Sequence, residues 1–158
     1  MPPISRRAAL SLGLALALSA CGGGDHRRTL VTGGGLLHPG ETPELRALIV
    51  KYAAEYDVPV DLVHRVVQRE SGYNPRARNG PYLGLMQILP QTARTMGFRG
   101  DPADLLDAET NLRYAVKYLR GAWLVADGSH DRAVMWYSKG YYYEARRRGL
   151  LAATGLRR

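Results

Sequence analysis

A single cysteine, Cys21, stands among the 158 residues, so no disulfide can form within the chain and the folded part must rely on packing. Acids are scarce as well. Fourteen Asp and Glu face 22 Lys and Arg, a formal charge of +8. That excess suits a polyanionic partner (nucleic acid, anionic lipid or a wall polymer bearing peptide carboxylates) without choosing among them. A solvated basic face accounts for it equally well. No nucleic-acid-binding module is present, and the bases are spread over several segments, with Arg146-Arg147-Arg148 the longest run. No stretch reaches the ~20 apolar residues of a membrane-spanning helix. Strand-like alternation and internal repeats are missing too. The four His form no group at metal-ligand spacing: His26 and His38 fall in a glycine-rich linker, and His64 and His130 stand alone. Neither a metal nor a cofactor is therefore expected. What remains is an ordinary globular balance, 46% hydrophobic and 23% charged, enough for one folded unit and a tail.

The tail comes first. Arg6 and Arg7 open it, Ala8 to Ala20 form an apolar run, and Leu18-Ser19-Ala20-Cys21 closes it, which is the layout of a signal peptide over residues 1–20. The closing four residues resemble a bacterial lipobox, which implies a lipid anchor on Cys21. Ser5-Arg6-Arg7 is similar in part to a twin-arginine signal, with Ala9 where a Phe is common, so both export routes stay open. Residues 21–42, with Gly22-Gly23-Gly24 and Gly33-Gly34-Gly35, are expected to be a flexible linker. The folded domain is expected over 43–158. The lipobox implies a periplasmic protein attached to a membrane, and Gly22 after Cys21 fits sorting to the outer one.

Helical periodicity dominates the rest. Thr42-Pro43-Glu44 is a helix start, followed by Leu45, Leu48, Ile49, Tyr52, Ala53 and Tyr56 on one stripe and stopped by Asp57-Val58-Pro59. A second helix is expected to Ser71, and a short one opens at Pro90. The longest spans about Asp107 to Ala126, and further helical stretches follow from about Asp131 and over 141–150. The fold class is all-α, a compact helical bundle.

Glu70 breaks the pattern of the second helix. Counted from it at about 100° per residue, Leu62 falls near −80°, Val66 near −40°, Val63 near +20° and Val67 near +60°. A carboxyl thus sits close to the middle of an apolar arc. Burial there disfavours the charged form, raises the pKa and prepares a general acid. A carboxylate turned to solvent at the helix end, or paired with an Arg, is the plain alternative.

Glu70-Ser71-Gly72-Tyr73-Asn74-Pro75 with Ala77, then Gly84-Leu85-Met86-Gln87-Ile88, then Tyr137 and Gly140 resemble the transglycosylase SLT family, as does Asn111 through Tyr118-Leu119. The likeness covers about residues 43–140. It implies a lysozyme-like domain with a substrate cleft that cuts peptidoglycan glycan strands between N-acetylmuramic acid and N-acetylglucosamine. In that case Glu70 is the acid and then the base. Gln87 hydrogen-bonds sugar groups or fixes the Glu70 carboxyl, and Tyr137 lies within reach of Glu70. Met86 and Tyr73 form apolar walls, with Met86 as core packing an equal alternative, and Ser71 caps locally or contacts substrate.

Three departures bear on the cleft: Ser138 stands where the family has Asn, Pro81-Tyr82 where it has Gly-Ala, and Tyr141-Tyr142-Tyr143 follows the late motif. At least one of these three tyrosines is expected in the core. Asp101, Asp104, Asp107 and Glu109 are expected to serve the start of the long helix rather than catalysis. With one carboxyl, the resemblance implies that the substrate's own acetamido group replaces the second, giving a 1,6-anhydro product. Two rivals stay open, a hydrolase on the same fold and a non-catalytic peptidoglycan-binding structural lipoprotein.

Overall fold

A computed structural model describes residues 35–157. The expected signal peptide, Cys21 and most of the glycine-rich linker lie outside the described residues. Among the described residues the chain forms α1 (Pro43–Glu55), α2 (Val60–Ser71), a hairpin of β1 (Arg78–Asn79) and β2 (Tyr82–Leu83), α3 (Pro90–Thr95), a 3-10 turn (Pro102–Leu106), α4 (Ala108–Val125), α5 (His130–Lys139) and α6 (Tyr142–Arg147). The all-α class holds, with one correction. The expectation of no strand fails at the hairpin, where Arg78 pairs with Leu83 and Asn79 with Tyr82. Two residues per strand are too few for alternation to register.

Helix starts follow their caps. The Thr42 side chain accepts the Leu45 N–H, and Pro43 occupies the first turn, where an absent N–H costs nothing. Asp101 caps the 3-10 turn in a reciprocal box with Asp104, and Asp107 accepts the Thr110 N–H to cap α4. Glu109 is held by Lys51 at 2.6 Å and by the Tyr52 hydroxyl at 2.9 Å. The acids have structural partners, but Asp101 and Asp104 serve the 3-10 turn rather than the start of α4.

The core gathers around α4, which packs on α1, α3, α5 and the 3-10 turn. From α2 it receives Leu62, Val63, Val66 and Val67, all fully buried. At ~1.5–3 kcal/mol each, burying these four contributes on the order of 6–12 kcal/mol in gross terms and fixes how α2 is rotated. Tyr141 is the buried member of its trio: its hydroxyl donates to the Tyr118 carbonyl at 2.8 Å, while Tyr142 and Tyr143 stay exposed. Gly121 has to be glycine, because a Cβ there would collide with the Tyr141 hydroxyl.

Residues 35–42 differ from the expected flexible linker. The Glu41 side chain is fully buried against Arg46 of α1, at 2.6 Å, and Arg46 also donates to the carbonyls of Gly35 and Leu36. His38 stacks on Tyr73 at 5.5 Å. This short segment lies against α1 and the end of α2, so ordered structure begins before residue 43.

Asn111 of α4 carries a polar side chain sealed within this packing, 0% exposed. Its Oδ1 accepts the Met86 N–H at 3.0 Å, and its Nδ2 donates to the carbonyls of Leu83 and Leu105 at 2.9 and 2.8 Å. Gly84 approaches so closely that a Cβ there would overlap Nδ2. Asn111→Ala should therefore cost roughly 2–4 kcal/mol, since it leaves the Met86 N–H and the Leu105 carbonyl dry and unpaired, while the Leu83 carbonyl keeps its bond from Ile88. Denaturant unfolding monitored by circular dichroism measures it, and a loss below about 1 kcal/mol would show that the network contributes little.

Candidate active site

Four pieces of backbone converge on a groove. The end of α2 brings Arg69 and Glu70, the hairpin brings Asn79 and Tyr82, the turn after it brings Gln87, and α5 brings Tyr137 and Ser138. This compartment measures about 220 Å³. A second of about 310 Å³ shares Tyr82, Gln87, Tyr137 and Ser138 with it and runs on to Thr92, Tyr118 and Lys139. Glu70 is the single carboxylate on either lining.

The apolar arc of α2 places Glu70 at the edge of the core, as the helical wheel requires. Gly72, in the left-handed region at φ 57°, ends the helix two residues later. The Glu70 side chain is 23% exposed, and its nearest charged neighbour is the Arg69 guanidinium at 3.7 Å. Among the described residues no group donates a hydrogen bond to its carboxyl. Burial pushes the Glu70 pKa above the usual carboxylate value, and Arg69 opposes the shift without cancelling it.

Gln87 and Tyr137 share the groove with Glu70, but neither is bonded to it. The Gln87 amide donates to the carbonyls of Gly84 at 2.8 Å and Ala77 at 3.2 Å, which sets its orientation. Its Oε1 is buried and has no partner among the described residues. The backbone holds this residue in the left-handed region at φ 48°, a conformation costing ~1 kcal/mol or more outside glycine. The Tyr137 hydroxyl donates to the Met86 carbonyl at 2.8 Å, which ties α5 to the turn. Burial, and then the nearby Glu70 charge, push the Tyr137 phenol well above its ordinary pKa, so it stays protonated.

The other expected residues lie elsewhere. Met86 is fully buried and lines neither compartment, because Asn111 and Tyr137 hold its backbone while its side chain fills the core. Tyr73 is not a cleft wall either: it is 2% exposed, and its hydroxyl meets His64 Nδ1 at 3.0 Å behind α2. The Ser71 hydroxyl donates to the Val67 carbonyl, four residues back in its own helix. Cys21 falls outside the described residues.

Asn79, Arg69 and Lys139 also line the groove, and sequence reasoning misses them. The hairpin has the composition of plain loop, and the two cations have that of ordinary surface. His38 and His64, solitary in the sequence, come together with Glu41 so that potential ligand atoms lie within 4.8 Å of one another. Arg46 already grips both Glu41 oxygens, at 2.9 and 2.6 Å, and its charge opposes a second cation there. The group therefore acts as a fastening between residues 38–41 and α2.

Because burial raises the Glu70 pKa, the folded protein holds this proton more tightly than the unfolded chain does. Stability falls as pH rises from the unfolded value through the folded one. Glu70→Gln removes that penalty. The variant should gain in Tm over wild type, and the gain should be larger at about pH 7 than at about pH 4. An equal gain at both pH values, read by differential scanning fluorimetry, would show that the carboxyl is well hydrated.

No solved structure matches the chain. Residues 47–149 match the family described as Transglycosylase SLT domain, a span that covers more than half the chain and carries every groove residue named above, in an all-α, lysozyme-like fold. The chain belongs to the transglycosylase SLT family.

Proposed function

We propose that this protein is a lytic transglycosylase in which Glu70 is both acid and base. Family membership makes peptidoglycan the substrate class and transglycosylase chemistry the general reaction. The finer reading rests on one observation: among the described residues a single half-buried carboxyl, raised in pKa and receiving no hydrogen bond, lines the groove with no second acid beside it.

Glycosidases that use two carboxyls need the second about 5–9.5 Å from the first. Nothing on this lining fills that role, and the substrate's acetamido group can. Glu70 donates its proton to the bridging oxygen as the bond to C1 of N-acetylmuramic acid breaks. The acetamido oxygen bonds to C1. The 6-hydroxyl oxygen then displaces it, giving up its proton to the Glu70 carboxylate and closing a 1,6-anhydro ring. One group serves both steps, so its pKa must lie near the working pH. The Gln87 Oε1 is suited to accept a hydrogen bond from a sugar N–H or O–H, and Tyr137 to hold the turn that carries Gln87.

Glu70→Gln should abolish clearing in a sacculus zymogram while the fold is retained, and unchanged clearing overturns the role of Glu70. Wild type should release muropeptides lighter by one water than hydrolysis products, as read by mass spectrometry. Free reducing ends, heavier by one water, would make the protein a hydrolase instead. The general acid must be protonated, so kcat should fall as pH rises through the Glu70 pKa. Arg69→Gln removes the cation that lowers this pKa and should move the alkaline limb to higher pH. An unmoved limb means that another group sets it.

We also propose export with residues 1–20 as signal peptide, a lipid on Cys21, and a periplasmic location on the outer membrane. Support comes from the Leu18-Ser19-Ala20-Cys21 box and from Gly22. Metabolic labelling with a clickable fatty acid should mark wild type and not Cys21→Ser. Label retained by the variant rules out this anchor.

A further inference from the structure

Tyr82 is a large aromatic side chain that is 41% exposed and borders both compartments of the groove. Tyr142 and Tyr143 are exposed as well, but they sit on α6 and line neither compartment. The ring of Tyr82 is thus a patch of apolar surface left open at the one place where a ligand would cover it.

Its base is rigid. Pro81 fixes φ just ahead of it, and Asn79 pairs with it across the hairpin. Leu83, next in the chain, is buried, exchanges two backbone hydrogen bonds with Ile88, and offers its carbonyl to Asn111. The Tyr82 hydroxyl takes no hydrogen bond among the described residues, so the fold does not need it. Sharing the groove is the buried Gln87 Oε1, an acceptor without a partner. A flat aromatic face and one unfilled acceptor match what a pyranose ring carries: an apolar face of C–H bonds above and below, with O–H and N–H groups around its rim.

We propose that Tyr82 is the stacking platform of the groove, on which an N-acetylated pyranose ring of the glycan lies beside the bond to be cut. The proposal rests on the reading of the groove as a peptidoglycan cleft. It adds a substrate-binding residue to the lining of the groove. The ring face makes the contact, so an aromatic substitute retains it and an aliphatic one does not. Such a contact holds substrate and transition state alike, and it therefore shows in KM more than in kcat.

The test separates binding from chemistry. In a Glu70→Gln background, which cannot turn over, calorimetry with a soluble N-acetylglucosamine tetramer and with peptide-free glycan strands reads affinity directly. Adding Tyr82→Ala should weaken binding about tenfold, whereas Tyr82→Phe and Tyr82→Trp should stay within about threefold of the parent. In the active protein Tyr82→Ala should raise KM by a similar factor and leave kcat within about twofold. Circular dichroism and Tm confirm that each variant is folded. Unchanged affinity in Tyr82→Ala overturns the stacking role alone, and so does a loss in Tyr82→Phe equal to that in Tyr82→Ala, because the hydroxyl would then be what matters. If the parent binds neither glycan, both this proposal and the reading of the cleft fail.

Discussion

Everything in the groove depends on how α2 is turned. Four fully buried aliphatic side chains leave the helix a single rotational setting, and in that setting Glu70 comes to the seam between core and groove. A carboxyl at that seam loses part of its hydration and receives no hydrogen bond in exchange, which is what lifts its pKa. The same placement costs stability whenever the group is ionised. A packing-only sequence would carry an apolar residue at this position and would lack the single carboxyl that, among the described residues, lines the groove. Arg69 works against the shift: its guanidinium, at 3.7 Å, favours the ionised carboxylate that burial disfavours.

Around this carboxyl the remaining parts are held by backbone contacts rather than by pairs of functional side chains. Tyr137 grips the Met86 carbonyl, Asn111 grips the Met86 N–H from the opposite side, and Gln87 binds two carbonyls of its own loop. The turn at 84–87 is thereby fixed from α4 and α5 together. Its price is visible in Gln87, a non-glycine residue at φ 48°, and in the steric closeness of Gly84 to Asn111. The outcome is a buried acceptor oxygen beside the groove with no partner among the described residues. Met86 has the backbone that matters here while its side chain serves packing, so a residue can belong to a functional motif without facing the ligand.

Much of this arrangement is legible in the order of the amino acids. Caps at Thr42, Asp101 and Asp107, the apolar stripes of α1, α2 and α4, and the odd position of Glu70 are all local signals with periods of three to four residues. The short hairpin is not legible, because two residues per strand leave no alternation to detect, and Asn79 is lost with it. The fate of Tyr73 is hidden for a different reason. Two consecutive left-handed residues, Gly72 at φ 57° and Tyr73 at φ 68°, swing the chain around the end of α2 and send the aromatic ring behind it. A helical wheel stops at the last helical residue and carries no information about that turn.

The segment just ahead of α1 shows the same limit at a larger scale. Glycines and a histidine give residues 35–42 the composition of a tether, and by composition alone the domain starts at the Thr42 cap. Yet Glu41 is buried, and its pKa is lowered even though burial works in the opposite direction, because Arg46 and the His38 N–H bind its carboxylate. A buried ion pair of this kind adds little net stability, but breaking one partner leaves an uncompensated charge. Its value lies in register. Arg46 reaches back to Gly35 and Leu36, His38 stacks on Tyr73, and Gly40 fits so tightly over Gly72 that a Cβ would stand 2.7 Å from its carbonyl. The chain entering the domain is therefore fastened to the backbone immediately after Glu70. A pull on that entering chain would meet the Arg46 bonds to Gly35 and Leu36 first, and only then the His38–Tyr73 stack against the turn after Glu70.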